Sequence, residues 1–162
     1  MSGIKIFISH QQQDSVTATE VKNHLKTRHD IECYLDVIDP NLVKGEEIAD
    51  YVREELDKCS HLLAIVSNAT KGSWWVPWEI GVATEKDYPL ASFGADIDLP
   101  EFLMKWPYMK SLADLEKYAE TVKQTYSPLS VMGLESYKTG SVSNRASSTK
   151  QFYRTLRSKL GQ

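Results

Sequence analysis

Short apolar runs recur along the chain and are separated by segments of mixed polarity. The runs at residues 4–8, 31–35, 61–66 and 88–93 are short and apolar and carry β-branched or aromatic residues, as buried strands do. A fifth run, residues 105–109, contains a proline, which favours a short strand at the edge of a sheet. The pattern therefore predicts four to five strands.

The segments between these runs carry apolar residues at helical spacing. The predicted helices have these apolar stripes: Ala18, Val21 and Leu25; Ile48, Val52 and Leu56; Leu112, Leu115, Ala119 and Val122; and Phe152, Leu156 and Leu160. Asp14 is the predicted N-cap of the first helix. Residues 127–148 are rich in Ser, Gly and Thr and predict a loop or linker before the last helix.

Strands that alternate with helices predict an α/β fold with a parallel sheet. Because crossovers between parallel strands are right-handed, we expect a doubly wound, flavodoxin-like sheet of four to five strands with helices on both faces. The extra C-terminal helix extends this fold. We divide the chain into a domain at residues 1–126 and an extension at residues 127–162, a loop and an amphipathic helix that we expect to pack on the same domain.

This topology also predicts where a ligand would bind. In doubly wound sheets, ligands bind beyond the carboxyl ends of the strands. Ser9 and His10 follow the first predicted strand, Asp36 begins the loop after the second, and residues 67–79 follow the third. We therefore expect the functional residues among these three segments.

Composition is that of one cytoplasmic domain. The chain has 162 residues, of which 41% are hydrophobic and 25% charged. The longest wholly apolar run, residues 62–66, is far shorter than the roughly 20 residues of a membrane span, and no secretory signal is visible. Cys33 and Cys59 have neither the pattern of a disulfide framework nor that of a zinc site, and two free thiols suit a reducing compartment.

Charge is unevenly distributed along the chain. Residues 138–162 carry six basic residues and no acidic one, although the whole chain has a net charge of −3. We expect this basic tail to dock on the acidic remainder of the protein. A contact for another partner or for a nucleic acid is the weaker alternative. Six charges with little aromatic interleaving are a poor signal for nucleic acid.

Several common enzyme motifs are absent from the sequence. It has no GxGxxG dinucleotide fingerprint, no GxxxxGK[ST] phosphate-binding loop and no GxSxG nucleophile elbow. The four histidines lack metal-ligand spacing. His24 and His29 in particular are five residues apart, which predicts different helix faces. The sequence therefore predicts no metal site.

The densest segment for candidate chemistry is residues 73–79. It holds three of the four tryptophans, and Glu79 follows Trp75 by four residues, so that both would face the same way on a helix. In the plainer interpretation, the tryptophans pack in the core or at an interface, and the carboxylate only complements a helix dipole. A functional carboxylate is the alternative.

Four segments in order make the chain resemble a Toll/interleukin-1 receptor (TIR) domain. These are IKIFISH at residues 4–10, YLDVIDPNLVKGEEI at residues 34–48, HLLAIVSNATKGSWWVPWEIGVA at residues 61–83 and LMKWPYMKSLADLEKYAE at residues 103–120. The third contains the S-x-W-x-x-x-E pattern of enzymatic members. The second departs from the family's usual Arg-Asp-x-x-Pro-Gly loop. The resemblance is to the bacterial NAD-cleaving TIR proteins of antiphage defence.

The resemblance implies NAD+ glycohydrolase activity, with NAD+ as substrate and no cofactor. Glu79 matches the family's catalytic glutamate, and Trp75 matches the tryptophan of its motif. By position, Ser9 and His10 would border the pocket for nicotinamide and ribose. Asp36 would begin the loop over the cleft.

The resemblance leaves the product and the partners open. The product would be linear ADP-ribose or, through ADP-ribosyl cyclase activity, a cyclic isomer that serves as an immune signal. We expect self-association through TIR–TIR contacts and a separately encoded effector that responds to the product. No membrane partner is expected.

Two other functions compete with NAD+ cleavage. A non-catalytic TIR scaffold would assemble through the same fold, but such scaffolds often lack the glutamate that is present here. A nucleoside deoxyribosyltransferase-like enzyme would use a glutamate near the ribose as a nucleophile.

Overall fold

The protein forms a parallel sheet flanked by helices. The computed structural model describes residues 3–35, 53–68, 81, 89–94, 104–126 and 141–162, with the backbone alone at residues 141–146. Within these ranges the strands are β1 (Lys5–Ser9), β2 (Glu32–Leu35), β3 (His61–Ile65), β4 (Leu90–Phe93) and β5 (Tyr108–Met109). All neighbours pair in parallel in the order β2-β1-β3-β4-β5, which is the flavodoxin-like order, so the predicted fold class is confirmed.

Three long helices lie within the described parts of the chain. A 3₁₀ turn at Gln12–Asp14 leads into α1 (Ser15–His29), and α2 (Leu112–Thr125) and α3 (Ser141–Leu160) follow β5. Residues 53–57 are also helical. Within the described ranges, no helix combines the length and the apolar character that a bilayer span requires.

Each face of the sheet carries a buried row of side chains, because successive residues of a strand point to opposite faces. The main core lies on one face, where α1, α2 and α3 contribute to the same cluster as the sheet. The sheet contributes Ile4, Ile6, Ile8, Cys33, Leu63, Ile65, Ala91, Phe93 and Met109. Phe7, Leu62 and Leu90 point the other way and are fully buried, so the second face is covered too.

The last helix begins earlier than the sequence predicts. The loop predicted at residues 127–148 is wrong from Ser141 onward, where α3 starts. Phe152 and Leu156 bury fully on the main core, and this packing fixes the later part of the helix. A helix that is already fixed extends with one hydrogen bond for each added residue, which outweighs the weak helix propensity of Ser and Thr.

Side chains of the C-terminal residues bind the backbone of the sheet. The hydroxyl of Tyr153 accepts a hydrogen bond from the backbone N–H of Leu90 (3.2 Å). The amide of Gln162 accepts from the N–H of Tyr108 (3.1 Å) and donates to its carbonyl (2.6 Å). Gln162 thus occupies backbone groups of the edge strand β5.

Basic residues of α3 contact the rest of the protein. Lys159 Nζ lies 3.7 Å from Glu120 Oε2 of α2 and donates to Gln124 Oε1 (3.2 Å). Arg157 donates to the carbonyl of Lys105. These contacts agree with the expected docking of the basic tail.

Candidate functional site

The carboxyl ends of β1 and β3 lie side by side in the middle of the sheet. Ser9, the last residue of β1, is in register with Ala64 of β3. In the order β2-β1-β3-β4-β5 the strand order reverses between these two strands, which opens a crevice where doubly wound proteins bind ligands. His10 and Ser67, which follow the two strands, therefore lie at the predicted ligand-binding edge.

Small side chains form a row beneath this edge. Ser9, Ala64 and Ser92 occupy adjacent positions on β1, β3 and β4, and all three are fully buried. Ser92 Oγ has no hydrogen-bond partner among the described residues. Two of these three buried side chains carry a hydroxyl, so polar groups continue from the crevice into the sheet.

Two buried polar atoms follow β1 directly. His10 is only 5% exposed, and its Nδ1 has no hydrogen-bond partner within the described parts of the chain. The side-chain nitrogen of Gln11, Nε2, is likewise buried and unpaired there. A buried polar atom without a partner costs about 1–3 kcal/mol, and such atoms call for an explanation such as a ligand or ordered water.

Asp14 joins the two strand ends through its side chain. It occupies the N-cap position of α1, as predicted, but its carboxylate makes no capping hydrogen bond. Instead, Asp14 Oδ2 accepts a hydrogen bond from Ser67 Oγ (2.8 Å), 53 residues along the chain. The predicted capping contact is therefore wrong, because this contact across the crevice takes its place.

The edge thus combines an imidazole, a carboxamide, a carboxylate and hydroxyls. The free atoms of His10 and Gln11 can form hydrogen bonds to the hydroxyl or carboxamide groups of a polar ligand. The hydrogen bond between Asp14 and Ser67 links the segment that follows β1 to the segment that follows β3. Such an arrangement suits the binding and orientation of a polar ligand.

The predicted site residues divide into two groups. Ser9 and His10 lie at the crevice, and their role there stays a prediction. Asp36, Trp75 and Glu79 lie outside the described residues.

Sequence reasoning missed three residues of this edge as site residues. Gln11 has no motif of its own, and only its position next to His10 could have singled it out. The sequence predicts a cap at Asp14, and Ser67 enters the prediction only as the first residue of a longer loop. Their contact joins two distant segments, which local spacing does not reveal.

The prediction that His24 and His29 are kept apart is wrong. Their rings lie 6.0 Å from each other between centroids, and both meet Glu116 of α2. His29 is the last residue of α1, and the chain turns at Asp30 in the left-handed conformation. Spacing along α1 does not predict this contact, because the shared partner, Glu116, comes from a distant helix.

The two thiols are both buried and free. Burial raises the pKa of Cys33 and of Cys59 to about 12. Both therefore stay protonated near neutral pH and supply no thiolate nucleophile.

The family model for the TIR domain matches residues 6–96. The chain belongs to the TIR domain family. The match runs from β1 through β4 and includes the crevice, whereas β5, α2 and α3 of this TIR protein lie beyond it. The resemblance found in the sequence is thus confirmed at the level of the family.

A solved structure is also similar to this TIR protein. It is described as the structure of the activated Roq1 resistosome directly recognizing the pathogen effector XopQ (TIR domains). The two chains share 10% sequence identity over 98% of each, with a TM-score of 0.45. No curated protein matches the chain.

Proposed function

We propose that this protein cleaves NAD+ at the bond between nicotinamide and ribose. TIR domains include both NAD-cleaving enzymes and scaffolds, so family membership alone does not decide between them. The observation that favours an enzyme lies at the β1/β3 crevice, where the buried side-chain atoms His10 Nδ1 and Gln11 Nε2 have no hydrogen-bond partner among the described residues. Two adjacent hydrogen-bonding atoms of this kind at a ligand-binding strand end support a ligand site, which an enzyme requires and a scaffold does not.

Glu79 is the proposed catalytic residue. The leaving group of NAD+ is a cationic pyridinium that departs as neutral nicotinamide, so no general acid is needed and one carboxylate suffices. Positive charge then develops on the ribose, as in glycoside hydrolysis. A carboxylate about 4 Å away at an effective dielectric near 20 interacts by roughly 4 kcal/mol, or about three decades of rate at most.

The other proposed residues bind the substrate. Trp75 would stack on the pyridinium, a cation–π contact of about 1–2 kcal/mol that acts mainly on binding. Ser9 and His10 would hold the nicotinamide and ribose, and Gln11 extends this set. Asp36 would act from the loop over the cleft.

The same proposal allows two products and includes a role in the cell. Attack by water on the ribose carbon would give ADP-ribose, and attack by an adenosine group would give a cyclic isomer. A cytoplasmic antiphage role fits either product, with a separately encoded effector as the responder. TIR–TIR self-association would complete the site, so turnover for each molecule should rise with protein concentration.

The test is mass spectrometry of concentrated protein incubated with NAD+. We expect nicotinamide together with linear or cyclic ADP-ribose, and a loss of up to about three decades in Glu79→Gln. Glu20→Gln is the matched control, because Glu20 is an exposed glutamate on α1. Equal turnover in Glu79→Gln and wild type would refute the catalytic role.

Two outcomes would favour the other functions. If cells under phage challenge neither lose NAD+ nor gain a new nucleotide, the scaffold becomes the better account. A trapped covalent sugar adduct on Glu79 would instead indicate deoxyribosyltransferase-like chemistry.

A further inference from the structure

Three side chains that commonly bind metals meet between α1 and α2. His24 Nε2 lies 2.5 Å from Glu116 Oε1, and His29 Nε2 lies 2.8 Å from Glu116 Oε2. One ligand atom from each residue can be chosen so that all three lie within 4.8 Å of one another. The cluster is separate from the β1/β3 crevice residues described above.

The cluster is shielded from water and incompletely paired. The side chains of His24 and His29 are 15% and 12% exposed, and that of Glu116 is 32% exposed. The contact between His29 Nε2 and Glu116 lies outside hydrogen-bond geometry, so this buried nitrogen has no hydrogen-bond partner within the described ranges. A shielded imidazole nitrogen without a hydrogen bond is available as a metal ligand.

We propose that His24, His29 and Glu116 bind one zinc ion that links α1 to α2. Two imidazoles and a carboxylate are a known protein ligand set for Zn²⁺, with the fourth position open to water. Zinc bonds of about 2.0–2.2 Å place tetrahedral ligand atoms about 3.4 Å apart. The two imidazole nitrogens lie 2.5 and 2.8 Å from carboxylate oxygens of Glu116, so side-chain rotations that widen these separations by less than 1 Å would admit the ion.

Arg28 provides the main competition for the carboxylate. Its Nε lies 3.1 Å from Glu116 Oε1, within the same group of side chains. The Arg28 side chain is 65% exposed, so it can move into solvent when a cation arrives. Removal of Arg28 should therefore tighten zinc binding, whereas a plain ion-pair network predicts no zinc binding at all.

The zinc ion would act on the fold rather than on the proposed reaction. α1 lies within residues 6–96, which match the TIR model, whereas Glu116 lies beyond them. An ion held by both parts would tie α2 to the matched core. Since it binds the folded chain only, zinc would also raise the thermal midpoint of unfolding.

The experiment is a zinc titration of the full chain after removal of metals with a chelator. We expect one Zn²⁺ bound to each chain by calorimetry, no response to Mg²⁺, and Co²⁺ binding with the visible bands of a tetrahedral nitrogen and oxygen site. His29→Gln and Glu116→Gln should each weaken zinc binding by about a hundredfold or more. Glu120→Gln, one turn further along α2 and 65% exposed, should leave it unchanged.

Three results would overturn the proposal. Wild-type protein that binds no zinc excludes the site, and zinc binding that persists in both His29→Gln and Glu116→Gln places the ion elsewhere. Arg28→Gln keeps the test decisive if those variants do not fold, because it should bind zinc about twofold to fivefold more tightly. Unchanged or weaker binding in Arg28→Gln contradicts an ion beside Glu116.

Discussion

The β1/β3 crevice and the face of the sheet covered by α2 and α3 (the helical face) differ in how their buried polar atoms are paired and grouped. At the crevice, His10 and Gln11 are adjacent, and each has a buried nitrogen with no hydrogen-bond partner among the described residues. On the face covered by α2 and α3, His61 Nδ1 lies 2.7 Å from Ser60 Oγ. The Tyr118 hydroxyl, on a ring within the core, has no hydrogen-bond partner in the part of the chain that the structure describes. Clustered unpaired atoms at a strand end indicate a ligand site, whereas an isolated one in an apolar core is a cost of packing.

The largest expected effect is on the helical face. Phe152 is 1% exposed, and its ring centroid lies 5.3 Å from His61 and 6.0 Å from Tyr118. Phe152→Ala should lower the free energy of unfolding by about 3–5 kcal/mol, because it leaves a cavity between α3 and the sheet. Urea unfolding monitored by circular dichroism measures this loss.

Two variants control for the cavity interpretation. Phe152→Leu keeps most of the volume and should cost clearly less than Phe152→Ala. Val16→Ala removes apolar atoms from a residue that is 73% exposed and should change stability by less than about 0.5 kcal/mol. A loss below 1 kcal/mol in Phe152→Ala would mean that α3 is peripheral to the core.

The next effect is a pH dependence that arises from His61. Burial lowers the pKa of His61 from 6.5 to about 3 in the folded protein. Below pH 6.5 the unfolded chain therefore binds a proton that the folded chain excludes, and stability falls as the pH decreases towards 3. Between pH 7 and pH 5 this amounts to about 2 kcal/mol.

His61→Phe isolates this contribution from the other histidines. The variant should lose about 2 kcal/mol less than wild type between pH 7 and pH 5, as measured by urea unfolding at each pH. Equal slopes for the two proteins would show that His61 is accessible to protons in the folded state.

Features that depend on local pattern could be predicted from the sequence. The strands β1, β3 and β4 are apolar runs with turn formers around them, and their order follows from the rules for parallel sheets. The start of α3 could not be predicted in this way. Ser and Thr have weak helix propensity, and the packing of Phe152 that offsets it is a tertiary contact.

The remaining features that the sequence does not predict are contacts between distant segments. Asp14 has the residue type of a cap, but its partner, Ser67, lies 53 residues away. His24 meets Glu116 across 92 residues. No spacing rule relates such positions, because the contacts form only when distant strands and helices pack in the folded protein.

A smaller effect distinguishes the crevice as a ligand site. His10→Leu removes a buried unpaired nitrogen and should change the free energy of unfolding by about 1 kcal/mol or less. If His10 holds the substrate, kcat/KM for NAD+ should fall about fivefold to tenfold, mainly through KM. Steady-state kinetics measure this split, and an unchanged kcat/KM would remove His10 from the site.

The smallest expected effect is that of removing an unpaired polar atom from the core rather than from the crevice. Tyr118→Phe also removes a buried unpaired atom, the hydroxyl, while the ring that packs against Phe152 stays. Stability should be unchanged or rise by up to about 1 kcal/mol, because the penalty of burying that hydroxyl disappears. NAD+ turnover should stay at the wild-type level, in contrast to His10→Leu. A parallel loss of turnover in Tyr118→Phe would mean that unpaired atoms do not distinguish the crevice from the core.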